Sequence, residues 1–226
     1  MSPKPPAKKP FPIFWVAVGV VVAIGIVVVI VSAGGTDSKK KTKGGSDTPN
    51  SKEFGPVTVT GTALAQFPDS GSDQAVGQAI PTVSGENFAG EPGAIAANGK
   101  AQLIVFLAHW CPHCNAEAPK LASYLQDNGG LPAGVDLTIV PTGSRSDAPN
   151  WPPSQWVKDM NLGYVTTLVD SEDQKAAAAF GLTSYPFMVM VDKDGTVVAR
   201  RAGEQADGFF GRVFSALAAG EPIPTS

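Results

Sequence analysis

The segment AQLIVFLAH, residues 101–109, constrains the fold more than any other part of this chain. Its apolar run is that of a strand buried on both faces, so the protein must place a layer on each side of it. The flanking sequence supplies those layers. CPHCNAEAPKLASYLQDN follows as a helix, with Leu121, Tyr124 and Leu125 at core spacing and Gly129 and Gly130 as its stop. VDLTIVPTG (135–143) reads as the next strand, and PPSQWVKDMNL starts like a helix with Ser154 as its cap. YVTTLVD (164–170) reads as a short strand, and SEDQKAAAAFGL as a helix running from Ser171 to a stop at Gly181. FMVMVDKDGTVVARRAG is a hairpin turning at Asp194 and Gly195. The last helix, DGFFGRVFSALAAG, sets Phe209, Phe210, Val213, Phe214 and Leu217 on one face. Ahead of the buried strand, VTVTG (57–61) alternates as a short strand, and residues 79–97 suggest a hairpin or an irregular cover. From Ala101 the order is β–α–β–α–β–α–β–β–α. That order is an α/β fold: a central mixed sheet flanked by helices, with an antiparallel hairpin at one edge.

The first fifty residues are of another kind. FPIFWVAVGVVVAIGIVVVIVSAGG runs from residue 11 to 35 without a charge. A bilayer core needs roughly 20 apolar residues in a helix, and a lone strand would leave its backbone unpaired in lipid. Residues 11–33 are therefore expected to form a single transmembrane anchor, with Phe14 and Trp15 at its interface. The run exceeds the roughly 7–15 apolar residues of a signal peptide, although VSA at 31–33 would serve as a cleavage site. Residues 1–10, with Lys4, Lys8 and Lys9, are then a cytoplasmic tail, residues 34–53 a flexible linker, and 54–226 the folded domain. From residue 53 onward 9 Lys and Arg stand against 18 Asp and Glu, a net of −9. An acidic domain repels phosphate backbones, so nucleic acid is not expected as a partner.

Both cysteines and both histidines lie in six positions, His109 to Cys114. Zinc accepts all four, but helix neighbours such as His113 and Cys114 point about 100° apart. No second pair of ligands exists elsewhere, so no metal and no cofactor are expected. A structural crosslink over so short a loop removes little unfolded-state entropy. A reversible dithiol explains more. Cys111 falls where the strand gives way to the helix, among unpaired amides and the positive end of the helix dipole, both of which favour a thiolate. Pro112 suits the first helical turn. Cys114, one turn on, is within disulfide reach and better shielded, so Cys111 is expected to attack and Cys114 to resolve. His113 would add a donor or a charge near the Cys111 sulfur, whereas His109 reads as a satisfied histidine at a strand end.

This segment resembles the thioredoxin superfamily. WCPHC, Trp110 to Cys114, matches its Trp–Cys–x–x–Cys motif, and SYPF at 184–187 matches its cis-proline loop, which sets Pro186 opposite Cys111. The Pro112–His113 dipeptide is similar to that of DsbA-type disulfide oxidases. The pattern Cys114-x-x-Glu117-x-Pro119 instead resembles membrane-tethered TlpA/ResA-like thioredoxins. The resemblance covers about residues 54–220. It implies that Trp110, Pro112, Tyr185 and Pro186 border the substrate, with the Tyr185 backbone free to pair with a substrate strand. Thioredoxin itself has a buried Asp six residues before the first cysteine; here Val105 stands there. Glu117 is then either the proton acceptor for Cys114, as the TlpA-like match implies, or an exposed acid on the helix surface. The span from Cys111 to Pro186 is longer than in thioredoxin, and Trp151 and Trp156 within it read as packing. Pro119 should bend its helix.

The expectation is a membrane-anchored, extracytoplasmic thiol–disulfide oxidoreductase at the cell membrane. Its partners would be cysteine-containing exported proteins and a membrane redox partner that resets the dithiol. Direction depends on potential. Lowering a thiol pKa from about 8.5 to about 3.5 is worth roughly 7 kcal/mol, which matches the span from about −270 to −120 mV at about 1.4 kcal/mol per 30 mV. Pro–His leans toward disulfide formation or isomerisation, and the TlpA-like frame toward reduction. A redox-inactive binding module or metallochaperone is the remaining class.

Overall fold

The structure, a computed structural model, describes Met1 and residues 52–224. Residues 2–10 of the expected tail, the anchor at 11–33 and the linker up to residue 51 lie outside the described residues. Among the described residues no helix is long and apolar enough to cross a membrane. The chain divides into two units, Met1–Ser46 and Asp47–Ser226. The second holds all the strands and helices among the described residues.

Its elements are β1 (Thr58–Thr60), β2 (Thr82–Glu86), β3 (Pro92–Ile95), β4 (Ala101–Leu107), α1 (Pro112–Asp127), β5 (Val135–Pro141), α2 (Pro153–Asp159), α3 (Lys175–Ala179), β6 (Phe187–Val191), β7 (Val197–Ala202) and α4 (Phe209–Ala219). A four-stranded sheet has the order β5-β4-β6-β7, and a smaller one β1-β2-β3. β4 is central: it pairs parallel with β5 and antiparallel with β6, and β6–β7 is the expected hairpin. All seven β4 residues are buried. Because side chains alternate along a strand, Leu103, Val105 and Leu107 enter one core with Leu121, Leu125, Trp156 and Phe214. Ile104 and Phe106 enter the other with Val83, Ile95, Phe180 and Phe187. The α4 face of Phe209, Phe210, Val213, Phe214 and Leu217 is buried as its spacing requires, and Tyr124 stacks on Phe214 at 4.9 Å.

Three local expectations are corrected. Residues 164–170 form no strand. The segment runs between the sheets, with one bridge to β5 at Thr167 and one to β2 at Val169. One bridge on each side is too few for a ladder, so its hydrogen bonds join the two sheets instead of extending either. Ser154 does not cap α2. Pro152 takes the cap position, and the Glu53 carboxylate, 101 residues away, accepts the Ser154 N–H at 2.9 Å and its hydroxyl at 2.6 Å. Glu53 and Lys52, which donates to Glu86 at 2.7 Å, thus tie the end of the expected linker to the domain. Finally, α3 starts at Lys175, not Ser171. The Asp170 carboxylate, buried at the end of the bridging segment, takes the Ser171, Ala176 and Ala177 amides and the Thr142 hydroxyl. The chain must loop around that acid before it can coil.

Candidate active site

β4 delivers the chain to the site and α1 carries the sulfurs. Cys111 is the N-cap residue of α1, in extended conformation, with Pro112 in the first turn. It therefore faces the unpaired amides of a helix start, where the dipole favours an anion. Cys114 lies one turn below, and its sulfur accepts the Ala108 N–H at 3.4 Å. Both are free thiols. Cys111 keeps 7% of its surface exposed and Cys114 none, so only Cys111 can meet a substrate. Burial pushes the Cys114 thiol far above its ordinary range. Across from the pair, the Cys111 thiol lies 4.0 Å from the Tyr185 carbonyl, in the residue before Pro186, and the Tyr185–Pro186 bond is cis.

The walls come from the loop after β5. Trp110 donates its indole N–H to the Gly143 carbonyl at 2.8 Å. It meets Tyr185 edge-on at 5.8 Å and carries the Arg145 guanidinium 4.9 Å above its ring. Tyr185 donates to Gln174 at 2.8 Å, and burial pushes its phenol up to about 12. At Gly143, with φ +59°, a Cβ would stand 2.5 Å from the Tyr185 hydroxyl, so no side chain fits there.

Glu117 is not a surface acid. It is 1% exposed; one carboxylate oxygen accepts the Gln205 N–H at 2.9 Å, and the other has no hydrogen-bond partner among the described residues. Burial raises its pKa, and its charge is felt at Cys114. The buried acid on the helix that carries the sulfurs thus stands on α1, not at the Val105 position on β4. His113 departs from expectation. Its ring is largely exposed and pairs with Glu204 at 3.1 Å, with no hydrogen bond to the Cys111 sulfur. On α1, residue 113 meets the loop after β7 through Glu204. His109 is the satisfied histidine. It is buried, its Nδ1 donates to the Pro149 carbonyl at 2.7 Å and its Nε2 accepts the Arg145 N–H at 3.1 Å. Burial lowers its pKa, in keeping with a ring whose Nε2 accepts a hydrogen bond. Trp156 is core; Trp151 packs too, edge-on to His109 and beside Phe54, but at 36% exposed it does so at the surface and not in the core.

Sequence reasoning passed over Asn115. Its amide donates to the His109 and Cys111 carbonyls at 3.0 and 2.8 Å and accepts from Trp156 and Asn150. It thereby ties the cysteine loop to the long insertion. A polar residue directly after the second cysteine, on the buried side of a first turn, was the only local signal for it.

A dithiol at a helix start, faced by an X–Pro loop on a sheet of this order, is the arrangement of a thioredoxin-like fold. The chain belongs to the Redoxin family, whose profile matches residues 75–213. Over 127 residues it is 27% identical to the thiol:disulfide interchange protein TxlA homolog of Synechocystis sp., covering 56% of this chain and 54% of that protein. It is 27% identical over 139 residues to methylamine utilization protein MauD of Paracoccus denitrificans, covering 60% and 62%. The chain thus spans between half and two thirds of the length of these curated relatives. Its fold is like that of a thiol:disulfide interchange protein of Chlorobium tepidum TLS, with a TM-score of 0.51 at 20% identity, covering 62% of this chain and 95% of that one.

Proposed function

We propose that this protein is a membrane-anchored, extracytoplasmic thiol–disulfide oxidoreductase that forms or isomerises disulfides in exported proteins. The observation that carries the reading is the pair of sulfurs: one at the surface on a helix start, the other fully buried one turn on, with a buried acid three residues further along the same helix. In the oxidising direction a substrate thiolate attacks the Cys111 sulfur of the Cys111–Cys114 disulfide. Cys114 leaves as a thiolate and takes the Glu117 proton. The substrate's second thiolate then attacks its own bonded sulfur and releases Cys111 as a thiolate, so two electrons pass from substrate to domain. Run backwards, Cys111 attacks a substrate disulfide, and Cys114, losing its proton to Glu117, displaces the reduced substrate. An acid whose pKa is raised toward neutrality serves both directions.

Reduction is the second reading, and one observation favours it. His113 is turned to Glu204, whose charge offsets an imidazolium that would otherwise stabilise a Cys111 thiolate. The reduction potential separates the two. A value near −120 mV supports oxidation, and one near −270 mV overturns it. Cys111→Ser should abolish turnover of any cysteine-containing substrate, and normal turnover by that variant would refute the dithiol mechanism. Recovery of the full chain in the soluble fraction of lysed cells would refute the anchor.

A further inference from the structure

Glu117 depends on a loop. Among the described residues its one hydrogen-bond donor is the Gln205 amide, in the turn between β7 and α4, outside the strand ladders. The same residue is gripped from α1 a second time. Lys120, one turn beyond Glu117 on the same helix face, donates to the Gln205 carbonyl at 2.7 Å and to Glu204 at 3.0 Å, with Asp207 at 3.7 Å. The Gln205 side chain closes the turn on the Gly203 carbonyl at 2.8 Å. Both polar ends of one residue are therefore tied to α1, the N–H to Glu117 and the C=O to Lys120. An exposed ion pair is ordinarily worth little, but the Lys120 side chain is only 28% exposed and all its partners lie on this one turn.

We propose that Lys120 is a positioning residue for the proton carrier of the dithiol: it fixes the 203–207 turn so that the Gln205 N–H meets the Glu117 carboxylate. This rests on the reading of Glu117 as the group that exchanges a proton with Cys114. The charged and titratable groups facing Glu117 are Cys114 and Lys120 on α1 and Glu204 and Asp207 on the turn; His113 acts on it only through Glu204. Lys120 and the Gln205 amide both favour the carboxylate. Without Lys120, Glu117 holds its proton to higher pH and takes the Cys114 proton later.

The test uses the reduced full-length chain and oxidised glutathione. The Cys111 thiolate attacks it and releases one glutathione thiolate in a first phase. Cys114, deprotonated through Glu117, displaces the second glutathione thiolate and closes the Cys111–Cys114 disulfide. The rate of that second phase is followed against pH. Lys120→Met should move its rise to higher pH by about half a unit, a roughly threefold slower release at neutral pH that recovers in alkali. Lys120→Arg should restore the profile, and Lys120→Met in a Glu117→Gln background should shift nothing further. Equal slowing at every pH, or a shift that persists with Glu117→Gln, overturns the role of Lys120. If Glu117→Gln alone leaves the second-phase profile unmoved, the proton-carrier reading fails and this proposal with it. A missing first phase would refute the dithiol chemistry itself.

Discussion

Glu117 and His109 are both buried titratable groups, and the sign of their effect on stability differs. Burial raises the Glu117 pKa. Below about pH 4, near the unfolded carboxylate value, it is neutral in both states and costs nothing extra. As pH rises past that value the unfolded chain loses its proton first, and stability falls until pH passes the raised folded value. Glu117→Gln should therefore melt higher than the parent at pH 8 but not at pH 4, while slowing Cys114; a gap independent of pH would contradict this. His109 works the other way. Burial lowers its pKa, so its contribution is present above about 6.5 and is lost as pH falls through the folded value. His109→Ala leaves the Pro149 carbonyl and the Arg145 amide without their partner. Urea unfolding at pH 7.5 should register a loss of about 2–3 kcal/mol.

Among the elements, β7 does more than end a hairpin. It carries Arg200, whose side chain is fully buried. Its guanidinium donates to the Asp73 carboxylate and to the Ala65 and Phe180 carbonyls, beneath the rings of Phe67 and Phe187. One residue thus fastens β7, the segment before β2 and the end of α3 together. Burial would raise the Asp73 pKa, but the hydrogen bond and charge of Arg200 outweigh it and hold the carboxyl below its usual range. That share of stability is present at neutral pH and fades in acid. Arg200→Met removes one partner of a buried pair and orphans two carbonyls, so it should cost about 3–5 kcal/mol, read from thermal melts at pH 7. A change below about 1 kcal/mol would show that the pair is not structural.

At the scale of the whole molecule, redox state and stability are one quantity. If the dithiol oxidises its substrates, the disulfide form must unfold more easily than the reduced form, by about 1.4 kcal/mol for each 30 mV that its potential lies above that of an unstrained pair. Melting both forms of the full chain side by side checks the direction, and a more stable disulfide form would point to reduction. The sequence alone determined the order of elements from β4 (except for the strand it placed at 164–170), the two-sided burial of β4, the hairpin and the placement of both cysteines at a helix start. Those features are written in local periodicity and in cap and turn residues, which act over a few positions. The tertiary structure decided what local pattern cannot encode: Glu117 buried under the Gln205 amide, His113 drawn to Glu204, Glu53 standing in for the Ser154 cap, and residues 164–170 spread between two sheets. The reason is separation along the chain. Gln205 lies 88 residues from Glu117 and Asp73 lies 127 from Arg200, and packing of the layers, not any nearby residue, brings such partners within reach of a hydrogen bond.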